Sequence, residues 1–172
     1  EPHMTGIGGD CFAMLSIDGS SNIKALNASG KSSENASANH LRNKGIKLIK
    51  PEMPDAITIP GAVAGWSLLH KEHGYMPWNE IFQPAINYAK SGIIVHERVA
   101  YDWAKNIEKL LADRDTAEIF LNNQKPFNVT ENFKNIKLSK TFETIAKEGS
   151  EGFYNGWVAD DMLEKLNSIG GL

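Results

Sequence analysis

Apolar and polar positions divide the chain into a short β-patterned opening and a longer helical remainder. Residues 12–17 form an apolar run bounded by Gly9 and Asp10 on one side and Asp18 and Gly19 on the other, and a second run covers 23–26. An Asp-Gly pair between two such runs predicts a β-hairpin, with Ser20, Ser21 and Asn22 lengthening its loop. Residues 29–38 are rich in Ser, Asn and Gly and read as a loop. A short basic stretch then leads to a brief strand over 56–61, ended by Pro60 and Gly61.

Beyond Gly61 the apolar spacing becomes helical. Val63, Trp66, Leu68 and Leu69 predict a helix over 63–73, stopped by Gly74. Ile81, Phe82, Ala85, Ile86 and Ala89 place a second helical segment over 77–91, stopped by Gly92. Pro84 lies inside it and predicts two short helices or a kink. Val95, Val99, Trp103, Ile107, Leu110 and Leu111 form one stripe of an amphipathic helix, with Glu97, Arg98, Lys105 and Lys109 turned outward. Residues 120–137 are weakly patterned and read as a loop or short hairpin. Ser139 is the expected cap of a helix running through Glu148 to Gly149, and a last helix spans about 156–168, closed by Gly170 and Gly171. Strands first and helices afterwards, without alternation, indicate an α+β or αββα layer fold rather than a doubly wound sheet. The chain stops at Leu172 just after a glycine pair that should turn into further structure. The expectation is therefore one incomplete domain over 1–172.

Composition narrows the function classes. The 172 residues are 41% hydrophobic and 23% charged, enough apolar content for a folded domain. The net charge of −3, without clustered basic residues, argues against nucleic acid as a partner. No apolar run approaches the roughly 20 residues of a membrane span, and no signal peptide is visible at residue 1. Localisation stays open between cytoplasm and an exported state.

The local motifs have bland readings. Gly6, Gly8, Gly9 and Asp10 lack the third glycine and following helix of a dinucleotide loop, and the Lys-Ser/Thr of a phosphate loop. Glycines at the mouth of a strand fit them better. Cys11 opens an apolar strand with no evident His or acid partner and reads as an inert thiol. His70 and His73 lack the His-Glu-x-x-His spacing and third ligand of a zinc protease, so they read as a solvated helix end. Asp113, Arg114, Asp115, Asp160 and Asp161 read as exposed charges near helix ends. Asn27, Asn35 and Asn128 begin glycosylation sequons, which arise readily by chance. These residues alone contain no catalytic set.

Several segments in order, however, resemble the large-subunit portion of the gamma-glutamyltranspeptidase family. Residues 1–14, with Pro2, Thr5, Gly6, Gly8, Gly9 and Phe12, resemble that family's Pro…(Ser/Thr)-Gly-x-Gly-Gly-x-x-Phe opening. Residues 59–66 and 69–74 resemble its Val-Pro-Gly helix and Tyr-Gly stop. Residues 76–92 resemble its Leu-Pro-Trp block, 138–149 its Leu-Ala-x-Thr-Leu segment, and 152–156 its Phe-Tyr-x-Gly segment. The resemblance implies the four-layer αββα fold of N-terminal-nucleophile hydrolases, with the β-hairpin first and mainly helices after it. It implies an enzyme whose precursor cleaves itself. The exposed threonine then attacks a gamma-glutamyl amide with its own α-amine as general base. That threonine is expected outside this chain, so no catalytic residue is named in it and the fragment alone is expected to be inactive. No metal or organic cofactor is implied. The expected partners are the missing small-subunit portion and a small-molecule gamma-glutamyl or other amide substrate.

One departure bears on specificity. Glutathione-processing members carry an Asp-x-Arg-Glu-x-Ala-Pro segment, whose arginine grips the glutamyl α-carboxylate through two parallel hydrogen bonds. Residues 25–33 instead resemble a Leu-Asn-x-Ser-Gly-Arg-Ala-Pro variant, with Lys31 at the cationic position. The resemblance makes Lys31, Asn27 and Ser29 the candidate substrate-binding residues. A cephalosporin-acylase-type amidase and a non-catalytic structural protein derived from the family are the alternatives. An open hairpin edge leads us to expect the isolated chain to be marginally stable or a homo-oligomer.

Overall fold

The computed structural model describes residues 2–171. Glu1, which opens the first resembling segment, and Leu172, at which the expected truncation falls, lie outside the described residues. In chain order the elements are β1 (Cys11–Ser16), β2 (Ile23–Ala28), α1 (Ala38–Asn43), α2 (Ala62–His73), α3 (Trp78–Ile81), α4 (Gln83–Ser91) and β3 (Ile93–Ile94). Then follow α5 (Glu97–Lys105), α6 (Ile107–Leu111), α7 (Arg114–Phe120), β4 (Asn132–Phe133), α8 (Ile136–Glu148), α9 (Glu151–Tyr154) and α10 (Trp157–Ser168). The chain groups into two compact units, Glu1–Gly6 with Met76–Lys147, and Ile7–Tyr75 with Glu148–Leu172.

In the unit that holds the hairpin, β1 and β2 pair antiparallel with Phe12 opposite Asn27 and Met14 opposite Ala25. Period-2 alternation puts Cys11, Ala13, Leu15 and Leu26 on the partly covered face and exposes Phe12, Met14 and Ile23 on the other. The expected turn forms as a 3₁₀ turn over Ile17–Gly19, where Asp18 and Gly19 take positive φ. Helix α2 lies on the covered face. A Cβ at Gly65 would come within 2.7 Å of the Ala28 Cβ and 3.2 Å of the Cys11 Cβ, so the missing side chain is what permits this approach. Val63, Phe153 and Val158 are buried.

Two readings of this segment change. The strand expected over 56–61 is absent. Pro54 starts a 3₁₀ turn over Pro54–Ala56, and the extended residues after it leave Ile57 and Ile59 exposed. Pro60 has no N–H to give a ladder, and in place of one the Ile59 N–H donates to the Lys31 carbonyl and the Gly61 N–H to the Gly9 carbonyl. The basic stretch read as a connector contains α1, whose first turn is capped by the Ser37 hydroxyl accepting from the His40 N–H.

In the other unit, Pro84 divides 77–91 into α3 and α4, as its missing N–H and fixed φ require. The single amphipathic helix expected over 95–111 is broken. Asn106 leaves helical geometry at φ −107° and ψ 19°, with its side-chain amide donating to the Asp102 carbonyl, so α5 and α6 are separate. Val95 precedes α5 and exchanges backbone bonds with Glu131 and Thr130, next to the two-residue β3–β4 pair. The apolar stripe holds in part, since Ile107 and Leu110 are partly buried while Leu111 is exposed. Val95, Val99 and Trp103 are buried with Phe133 in one cluster, flanked by Phe120 and Phe127.

Ser139 is not a helix cap. The Asn135 carboxamide oxygen accepts from the Leu138 N–H, while Ser139 is buried one turn inside α8 and donates to the Ile136 carbonyl. Within 120–137 the pairing is limited to β4 and one isolated bridge, and α7 runs up to Phe120 from an Asp113 cap. On α5, Arg98 donates to Asp102, and His3 shares the same carboxylate oxygen at 3.0 Å. The Arg98 hydrogen bond holds the Asp102 carboxyl below its ordinary range, against the opposing effect of burial and with help from His3.

Candidate functional site

The loop that follows β2 is held by main-chain contacts from two directions. At its start, the Asn27 side-chain oxygen accepts from the Ser29 N–H at 3.0 Å, a local turn that reverses the chain. From the strand-1 side, the Asp10 carboxylate accepts from the Gly30 N–H at 2.9 Å. On the far side, the Ile59 N–H donates to the Lys31 carbonyl at 2.9 Å. Backbone packs on backbone here. A Cβ at Gly30 would overlap the Ile59 carbonyl oxygen and lie 2.8 Å from its carbon. One at Gly61 would overlap the Ala28 carbonyl oxygen and lie 2.9 Å from its carbon. Both glycines are required by space rather than by positive φ.

The N-terminus of α2 adjoins this loop and is capped from a distance. Gly61 occupies the N-cap and has no side chain to satisfy the first amides. The Gly9 carbonyl accepts from both Gly61 and Ala62, at 3.0 and 2.9 Å. The Tyr154 hydroxyl accepts from the Ala64 N–H at 3.0 Å and donates to the Pro60 carbonyl at 2.7 Å. Burial raises the Tyr154 phenol above its ordinary value, and the Ala64 N–H opposes this less strongly. The hydroxyl therefore keeps its proton near neutrality and remains a donor to Pro60.

All three candidate residues fall in this one loop. Asn27, Ser29 and Lys31 are exposed, and the Lys31 side chain makes no hydrogen bond or ion pair among the described residues. Asn27 serves the turn through its oxygen, while the Lys31 backbone, not its side chain, anchors the loop. Reasoning on the sequence missed Asp10, Gly30, Gly61 and Tyr154 as parts of the same construction. Their signal was membership of separate resembling segments, at 1–14, 25–33, 59–66 and 152–156, which nothing in the sequence joins. Cys11 is half-buried in β1. His73 lies 3.4 Å from the Glu72 carboxylate. Among the described residues no group of three or more His, Cys, Asp or Glu could hold a metal ion, and no helix is long and apolar enough to cross a membrane.

Fold and motifs have a common counterpart among known proteins. A structure of Helicobacter pylori gamma-glutamyltranspeptidase superposes at TM-score 0.91 with 26% identity, covering 99% of this chain and 50% of that one. A cephalosporin acylase from Bacillus halodurans superposes at 0.89 with 27% identity, covering 96% of this chain and 32% of that one. In sequence, a glutathione hydrolase-like YwrD proenzyme of Bacillus subtilis is 32% identical across 98% of this chain and 32% of its own length. Scoloptoxin SSD14 of Scolopendra dehaani is 31% identical across 100% of this chain and 30% of its own. The architecture is that of the N-terminal-nucleophile hydrolases, with the hairpin first and the helices after it. The gamma-glutamyltranspeptidase profile matches residues 1–172, and the chain belongs to that family. It spans about a third of the length of these curated relatives.

Proposed function

We propose that this chain is the scaffold and substrate-facing portion of a gamma-glutamyl hydrolase or acyltransferase whose threonine nucleophile lies outside it. Family membership over all 172 residues is the observation that carries the reading. In this reading the threonine hydroxyl adds to the amide carbonyl, its proton passes through the threonine's own α-amine to the departing amine, and the acyl group is left as an ester on the threonine. Water or another amine then attacks that ester, takes the acyl group and returns the proton to the threonine oxygen. The chain's own contribution is the loop 27–33, held at Gly30 by Asp10 and at Lys31 by Ile59, with the ammonium of Lys31 left for a substrate carboxylate. The chain expressed alone is expected to show no turnover of gamma-glutamyl-p-nitroanilide. Activity that survives repurification would overturn the assignment of the nucleophile.

A lysine offers charge and one donor direction at a time, without the planar fork of arginine. Losing a charge-assisted hydrogen bond costs about 1.5–3 kcal/mol, roughly ten- to hundredfold in binding. In the complete protein, Lys31→Ala should raise KM by that factor for a substrate bearing an α-carboxylate and leave kcat nearly intact. A substrate without the carboxylate should not respond. Equal effects on both, or none on either, would make Lys31 a bystander.

A cephalosporin-acylase-type amidase is the second reading, favoured by the near-equal superposition on the Bacillus halodurans acylase. A kcat/KM that is higher for acyl amides lacking the α-amino acid head than for gamma-glutamyl amides would select it.

A further inference from the structure

We propose that Tyr154 is a positioning residue for the substrate loop 27–33, acting through Ile59, Pro60 and Gly61. The inference rests on reading that loop as substrate-facing. The segment 59–61 has little means of holding itself. Pro60 lacks an N–H, Gly61 lacks a side chain, and no strand ladder runs through it. Yet its backbone is the wall against which the loop is built. The Ile59 N–H holds the Lys31 carbonyl, the Ile59 carbonyl abuts Gly30, and Gly61 abuts Ala28.

From 94 positions away, the Tyr154 hydroxyl fixes this wall by donating to the Pro60 carbonyl. The same oxygen accepts from Ala64 and so ties the wall to the first turn of α2. Phe153, almost completely buried, packs edge-to-face on the Tyr154 ring and anchors it. Without the hydroxyl, Pro60 and Ala64 lose their shared partner, and the Gly9 carbonyl holds the wall only at Gly61 and Ala62. The stretch before Gly61 then loosens, and Lys31, bonded to Ile59, loosens with it.

The test compares Tyr154→Phe, Lys31→Ala and the double variant in the complete protein. It uses kinetics on gamma-glutamyl-p-nitroanilide and amide hydrogen exchange. Tyr154→Phe removes one oxygen and keeps the ring that packs on Phe153, so the buried contact is retained. It should raise KM about three- to tenfold with kcat nearly unchanged, and speed exchange across 27–33 as well as 60–64. On the Lys31→Ala background its effect on KM should shrink to within about twofold, because the two residues act through one contact. Incorporation of 3-fluorotyrosine at 154, which restores the hydroxyl, should return KM towards the parent value.

Faster exchange confined to 60–64 overturns the inference, as does a Tyr154→Phe effect on KM that is unchanged on the Lys31→Ala background when Lys31→Ala itself raises KM. A different failure is separable from this one. If Tyr154→Phe loosens 27–33 while Lys31→Ala leaves KM untouched, Tyr154 positions the loop and the substrate reading of Lys31 falls.

Discussion

Gly30→Ala is expected to destabilise the chain by about 3 kcal/mol or more, at the upper end of the cost of overpacking. The added methyl would overlap the Ile59 carbonyl oxygen and sit 2.8 Å from its carbon and 3.0 Å from the Thr58 hydroxyl. A flexible side chain could swing away, but a carbonyl tied into the main chain cannot. Relief requires parting the two segments, which breaks the bond from the Ile59 N–H to Lys31 and the bond from the Gly30 N–H to Asp10. For a chain of this size that loss corresponds to a Tm lower by roughly 6–12 °C. Gly8→Ala is the matched control, because a Cβ there would meet nothing within 4 Å and the residue is not at positive φ. It should stay within about 0.5 kcal/mol of the parent. Equal stability of the two variants would mean that the loop and the 59–61 wall are not in contact as described.

Trp103→Ala should cost about 3–5 kcal/mol, as removal of a large buried aromatic does. Trp103 is 3% exposed and its ring lies 4.9 Å from that of Phe133, 5.5 Å from Phe127 and 6.2 Å from Phe120. These neighbours come from α7 and the segment leading through β4, against Trp103 on α5, so the cavity would open where these elements meet and none can easily close it. Denaturant unfolding should show a lower midpoint, and exchange should speed across 93–133. Tyr101, on the same helix, is 60% exposed, and its removal should cost less than about 1 kcal/mol. A Trp103→Ala variant as stable as Tyr101→Ala would refute this core.

These two sites differ in how far the sequence discloses them. The stripe through Val95, Val99 and Trp103 is legible because burial imposes a spacing that survives even where the helix does not. The break at Asn106 is not legible, since asparagine is tolerated within helices and its side chain competes with the backbone only where a neighbouring carbonyl is available. Ser139 shows the same limit from the other side. It has the chemistry of a cap, but Asn135, four residues earlier, takes that place and Ser139 is enclosed within α8. Two-residue strands such as β3 and β4 are too short to carry a pattern at all.

The sequence by itself determined the hairpin, the Gly74 and Gly92 stops, the division at Pro84 and the family. Each of these depends on local backbone chemistry or on motifs preserved in order. Only the tertiary structure decided that Asp10, Gly30, Lys31, Gly61 and Tyr154 form one construction. Each of their contacts has a backbone group on at least one side and joins residues 20 to 94 positions apart. A main-chain carbonyl has no residue identity to read, so the partner that holds it becomes visible only when the chain is folded.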